Sequence, residues 1–116
     1  MICPYCKKEA TWGENKAIYG KNYGKSYMCY YCLDCSAYVG CHNNTQHALG
    51  TMANKELREW RKMAHSAIDP LWKDPYGTME RDEVYTLLRH KFGKPIHIGQ
   101  SDVNQCKKII NFINNR

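Results

Sequence analysis

The chain has 116 residues, 43% of them hydrophobic, with seven cysteines and a formal net charge of +6. That length suits one domain, or a small module fused to a helical half. No stretch approaches the ~18 consecutive apolar residues of a membrane span, so no membrane partner is expected. Met1-Ile2-Cys3-Pro4 has neither the basic start nor the apolar core of a signal peptide. The expected setting is a reducing cytoplasm, where cysteines act as thiolate ligands and buried thiols instead of disulfides.

Behind Cys3-Pro4-Tyr5-Cys6, Glu9–Trp12 and Lys16–Tyr19 read as short β segments around a Gly13-Glu14-Asn15 turn. Residues 20–24, bounded by glycines, make a looser loop. Ser26–Tyr31 and Ala37–Cys41, rich in tyrosine and valine, flank Cys32-Leu33-Asp34-Cys35. A hairpin followed by strand, knuckle and strand is the layout of a three-stranded ribbon, assigned to residues 1–48.

After the polar stretch 42–46 the hydrophobic period changes from two to 3.6. Ala53, Leu57, Trp60, Ala64, Ala67 and Leu71 recur at helical spacing, with Asn54 or Thr51 as N-cap and Pro70 ending the helix near Asp69. A second helix is expected after Thr78, with Glu80, Asp82 and Glu83 at its positive end and Arg89 to Lys91 at its negative end. Val84, Leu87 and Leu88 form its apolar side, and Gly93 with Pro95 closes it. Ile96-His97-Ile98 reads as extended. Ser101 reads as the cap of a third helix with Val103, Cys106, Ile110 and Ile113 on one face. The expected fold is α+β, an N-terminal three-stranded zinc ribbon packed with a C-terminal three-helix region at residues 49–116. Trp12, Trp60 and Trp72 are large enough to seam the two.

The two Cys-x-x-Cys turns, separated by residues 7–31, can each aim two sulfurs at one ion and together complete a tetrahedral shell. Soft thiolates in that geometry select zinc or iron, with zinc the commoner occupant of a ribbon. One structural Zn²⁺ on Cys3, Cys6, Cys32 and Cys35 is expected. The register has an alternative, because Cys29-Tyr30-Tyr31-Cys32 is also a Cys-x-x-Cys and Cys29 could replace Cys35. Cys41 or His42 could also donate a substitute ligand. Tyr27, Cys29 and Tyr31 share a strand face, which leans toward Cys29 as a buried thiol. A redox reading of Cys3 and Cys6 is weak, since no βαβ pattern follows them. Cys106 reads as a small apolar residue on a buried helix face.

Residues 1–50 carry five lysines against three acids, and residues 51–116 twelve basic against eight acidic. Four thiolates and one Zn²⁺ together add about two negative charges, which brings the ribbon near neutral. Lys55, Arg58, Arg61 and Lys62 are then the densest basic surface, and Lys55, Arg58 and Lys62 fall at i, i+3 and i+7. Seven of the nine tyrosines lie between Tyr5 and Tyr38, among Lys7, Lys8, Lys16, Lys21 and Lys25. Aromatic rings interleaved with cations can stack bases and follow a phosphate backbone. The competing reading is plainer. In it the tyrosines pack a ribbon too small for an aliphatic core, and the helix cations simply face water. A ββα-metal nuclease, suggested by His42-Asn43-Asn44 and His65, is disfavoured: residues 43–52 lack a convincing strand, and no acid precedes His42.

Several motifs then fall into a familiar order. Cys3-Pro4-Tyr5-Cys6 is followed by Cys32 and Cys35, Ser36-Ala37-Tyr38-Val39-Gly40-Cys41-His42, and Leu49 through Asn54. Glu56-Leu57-Arg58, Arg61 through His65, and Asp69-Pro70-Leu71-Trp72 come next. Together they resemble a family of small zinc-finger-containing proteins found in bacteriophages, prophages and their bacterial hosts. The likeness extends through Glu83-Val84-Tyr85, His97-Ile98-Gly99 and Gln105-Cys106, so it covers nearly the whole chain. The resemblance implies zinc at Cys3, Cys6, Cys32 and Cys35, and a phage or bacterial cytoplasmic setting. It supplies no substrate, because the family is named for its metal site. The chain departs from the pattern at Cys29, and it carries Lys7 where ribbons often place glycine after the second cysteine. The expected function is non-catalytic, zinc-stabilised binding of nucleic acid, with docking on a host protein as the alternative.

Overall fold

A computed structural model describes residues 1–73 and 77–116, which divide into two units, Met1–Glu56 and Leu57–Arg116. In the first, strands β1 (Thr11–Glu14), β2 (Met28–Cys32) and β3 (Ala37–Gly40) form an antiparallel sheet in the order β1-β2-β3. Trp12 stands opposite Tyr30, Cys29 opposite Gly40, and Cys32 opposite Ala37. Alternation along β2 and β3 sends Tyr30, Cys32, Ala37 and Val39 to one face, where they pack with Cys3, Ala10 and Met52.

One expected strand is a helix. Gly13 and Glu14 are not a turn: they continue β1 and pair with Cys29 and Met28. Lys16–Tyr19 then forms a single helical turn, α1. Gly20 closes it in the left-handed region (φ 84°), its N–H donating to Lys16 O at 2.8 Å. The loop that follows is tied down. The Asn15 amide donates to Tyr23 O and accepts from Tyr23 N–H, both at 3.0 Å.

The first unit also runs past its expected end at residue 48. Cys41 bridges to Ala48, and Tyr38 and Ala53 exchange two N–H···O bonds of 3.1 Å, so the chain returns to β3 before helix α2 (Lys55–Ile68) begins.

In the second unit, α2 leads into a 3₁₀ turn at Asp69–Leu71, where Pro70 costs no hydrogen bond. Helix α3 (Arg81–Phe92) ends where expected, at Gly93 (φ 73°), whose N–H reaches Arg89 O at 2.8 Å. Helix α4 spans Val103–Asn114. Ala64 and Ile68 of α2, Val84 and Leu88 of α3, and Cys106 and Ile109 of α4 meet around Ile96 and Ile98. Ile109, absent from the expected face, is fully buried at its centre, whereas Ile110 and Ile113 are only partly covered. The cap also shifts by one residue. Asp102 Oδ1 accepts from Gln105 N–H at 2.8 Å, while Ser101 is buried and donates its hydroxyl to His97 O at 2.9 Å. Only the start of the 96–98 segment is extended, since Ile98–Gln100 forms a 3₁₀ turn. Among the described residues, no helix is long and apolar enough to cross a membrane.

Candidate metal centre

Each knuckle sits at the tip of a hairpin. Ile2 bridges to Glu9, and Cys3 N–H donates to Lys8 O at 2.8 Å, which folds Pro4 to Lys7 into a tight reversal. The second knuckle is the β2–β3 connection itself, Leu33 to Ser36, immediately beyond the Cys32–Ala37 pair. In both, the residue after the second cysteine turns back through positive φ, Lys7 at 65° and Ser36 at 52°. The two reversals are built alike although their sequences differ.

The four sulfurs of Cys3, Cys6, Cys32 and Cys35 lie within 4.8 Å of one another, and Cys6 Sγ is 3.8 Å from Cys32 Sγ. Sulfurs held ~2.3 Å from one zinc at tetrahedral corners stand about 3.8 Å apart, so the cluster already has the dimensions of the ion. Among the described residues these four are the only His, Cys, Asp and Glu group so placed. The tetrad is positioned to bind one zinc ion. Four sulfurs close the coordination shell, which makes the site structural. Cys3 is fully buried and the other three half-buried. The Tyr5 hydroxyl accepts from Asn54 N–H at 3.1 Å, which ties the first knuckle to the segment ahead of α2.

The knuckle backbone favours the thiolate at Cys3. Burial works against a charged Cys3, yet N–H groups of Cys6 and Tyr5 aimed at its sulfur bring its pKa down to about 7. The Cys35 N–H does the same for Cys32, but burial and the Cys6 sulfur outweigh it and the thiol is raised. Burial and the crowding of Cys6, Cys32 and Cys3 push Cys35 up to about 12. Four thiolates packed this closely need a cation among them, and zinc binding displaces their protons.

The register ambiguity resolves through the strand pairing. Cys29 lies opposite Gly40, three residues up β2 from the knuckle, and is buried outside the tetrad. Burial, and then the neighbouring Cys41, raises its pKa, as expected of a protonated thiol. Cys41 is buried as well, and that burial raises its thiol, with the Trp12 side chain offsetting part of the rise. His42 is exposed at the start of a tight loop. Cys106 is fully buried in the helical core, and burial raises its thiol too.

The basic residues of α2 fare unequally. Lys55 and Lys62 are exposed, whereas Arg58 and Arg61 are half-buried, and Arg61 Nε donates to Ser101 O at 3.0 Å. Sequence reasoning missed a cavity of about 340 Å³ on the first unit, lined by Trp12, Lys25, Ser26, Tyr27, Met28, Asn44, Thr45 and Gln46. Its residues come from three separated segments, and no local periodicity joins them. It also missed Met52, fully buried beside Cys3; the adjacent Met52-Ala53 pair was the available signal.

No curated protein and no solved structure matches the chain. A family model described as a zinc-finger-containing domain matches residues 1–116. With its four-cysteine centre assembled at the tips of two hairpins, the chain belongs to this zinc-finger-containing family, whose function is unknown.

Proposed function

We propose that this is a non-catalytic nucleic-acid-binding module, stabilised by its zinc and working in the cytoplasm of a bacterium or a phage-infected cell. One observation carries the reading. Tyr5, Trp12, Tyr19, Tyr23 and Tyr27 are each 40–50% exposed, so the aromatic richness of the ribbon is not used up in packing it. Lys7, Lys8, Lys16, Lys21 and Lys25 are exposed among them, and Lys21 Nζ lies 5.1 Å from the centre of the Tyr23 ring. Exposed rings flanked by cations offer stacking and phosphate contacts.

The α2 residues Lys55, Arg58, Arg61 and Lys62 supply the remaining phosphate contacts, with the exposed Lys55 and Lys62 foremost. Thiolate ligands hold best where disulfides do not form, which supports the cytoplasmic setting. The closed sulfur shell supports the non-catalytic reading. So does the stretch after His42, where residues 42–47 form a tight loop in place of the second strand that a ββα site needs.

A salt-dependent mobility shift tests the proposal. The zinc-loaded chain is expected to bind single-stranded nucleic acid with an affinity that falls as salt rises. Lys55→Ala with Lys62→Ala should flatten the log–log salt slope by about 1.4 to 1.8, at about 0.7 to 0.9 per lost contact, with zinc content unchanged. Wild-type protein that binds no nucleic acid at low salt would overturn it and shift the choice to a protein partner.

A further inference from the structure

We infer that the cavity between Trp12, Tyr27 and the Asn44–Gln46 loop is a pocket for one nucleobase with its phosphate. The inference rests on the nucleic-acid reading and gives it a defined contact. At about 340 Å³ the cavity is at the small end of the ~300–1,000 Å³ typical of ligand sites, a size suited to one flat heterocycle and its sugar.

Its walls hold the three groups such a ligand needs. Trp12 and Tyr27, each 40% exposed, present aromatic surface for stacking. The side-chain amides of Asn44 and Gln46 carry both donors and acceptors, as the edge of a base requires. They have no hydrogen-bond partner among the described residues. Lys25 is the only charged group in the lining, and no carboxylate enters it. The acid beside Trp12 on β1, Glu14, is paired with Lys16 at 3.0 Å. An anion beside the ring therefore meets a cation and no opposing charge.

The pocket is also held in shape before anything enters. Thr45 N–H and Oγ1 both donate to His42 O, at 3.1 and 2.9 Å, and His42 N–H donates to His47 O at 2.9 Å. The Tyr30 hydroxyl, reaching up from β2, donates to Gln46 O at 2.9 Å. On the opposite wall, Ser26 Oγ donates to Cys41 O at 3.0 Å. Asn44 occupies a left-handed turn position (φ 59°), which asparagine tolerates better than most residues. A rigid loop lowers the ordering cost of binding. An aromatic side chain of a protein partner would fill the same walls but leave both amides unused.

The test uses the zinc-loaded full chain, fluorescently labelled single-stranded DNA, and a free nucleoside monophosphate as a separate ligand. Tyr27→Ala should weaken DNA binding about 5- to 150-fold, the loss of one stacked base, and leave the salt slope unchanged. Lys25→Ala should flatten that slope by about 0.7. Gln46→Ala should weaken binding without changing the slope, and it serves as the second variant if Tyr27→Ala disturbs the ribbon. Zinc content and the ribbon's NMR spectrum check each variant's fold.

If the wild type binds DNA and all three variants bind equally well, the pocket assignment is wrong while the nucleic-acid reading stands. Nucleoside monophosphate binding lost in Tyr27→Ala and Gln46→Ala, without DNA binding by the wild type, keeps the pocket as a free-nucleotide site and removes the nucleic-acid reading. Binding of neither ligand overturns both.

Discussion

The two units solve the same problem with different means. In Leu57–Arg116, three helices bury Ile68, Val84, Leu88 and Ile109 completely, around Ile96, Ile98, Ala64 and Cys106. Met1–Glu56 has no comparable aliphatic centre. Its buried cluster is Cys3, Ala10, Ala37, Val39 and Met52, and of these only Met52 is a large side chain. A module of about 50 residues with so small a core lies below the size at which hydrophobic burial alone stabilises a fold, and a metal is one of the few remedies. In the ribbon four cysteines stand where the helical unit places aliphatic residues. The first unit's stability therefore depends on an ion, and the second's on apolar area.

The largest expected effect breaks that contrast at the metal. Structural zinc contributes on the order of 10 kcal/mol in small ribbons, more than the whole stability of most domains this size. Excess chelator, or Cys3→Ser or Cys35→Ser, should collapse the NMR signals of β1 to β3 while those of α3 and α4 keep their dispersion. Cys29→Ala should retain one equivalent of zinc by elemental analysis. The ligand assignment fails if Cys29→Ala loses zinc and Cys35→Ala retains it tightly. Loss of both units together on chelation would show that the helical core does not stand on burial alone.

The reverse perturbation is smaller. Leu88→Ala or Ile109→Ala removes a fully buried aliphatic side chain and should cost ~2–5 kcal/mol in the helical transition. Zinc stoichiometry and the ribbon's spectrum should be unchanged. A fall in zinc content in these variants would contradict the separation.

What the sequence made legible follows the same division. The helical unit was readable because apolar spacing and caps are local signals: Val84, Leu88 and Gly93 fall where a 3.6 period and a left-handed terminus require. The errors there, Ser101 for Asp102 and the missing Ile109, are shifts of about one position along a helix that was otherwise identified. The ribbon was readable at its knuckles and at β2 and β3, which fall within two residues of their expected bounds, but not in the segment between β1 and β2. Lys16–Tyr19 ends in the strand-favouring pair Ile18-Tyr19 after a turn signal and so reads as a strand; its helical turn depends on Gly20 and on the Asn15 clamp. The choice between Cys29 and Cys35 could not be made from spacing, because both complete a Cys-x-x-Cys. It needs the β2–β3 register, a non-local property that puts Cys29 opposite Gly40 and beyond reach of the tetrad. The cavity beside Trp12 needs still more, three separate segments brought to one place.

The smallest effect sharpens the comparison at the two knuckle turns. Lys7 and Ser36 hold φ values of 65° and 52°, a region that costs a residue with a Cβ roughly 1–2 kcal/mol. Glycine would relieve that strain but would also raise the entropy of the unfolded chain by about 0.5–1 kcal/mol. The net gain for Lys7→Gly or Ser36→Gly is therefore about 0.5–1 kcal/mol. Because folding of the ribbon and zinc binding are one process, the gain should appear as ~2- to 5-fold tighter zinc in competition with a chelator. Lys7→Ala is the control that separates strain from charge. It removes the same ammonium group but keeps the Cβ, so it should not tighten zinc. Equal tightening by Lys7→Ala and Lys7→Gly would assign the effect to the lost charge beside the thiolates. No change in either glycine variant would mean that the strain in the turns does not exceed the entropy cost of glycine. Neither glycine variant should alter the thermal transition of the helical unit, which has no share in the knuckles.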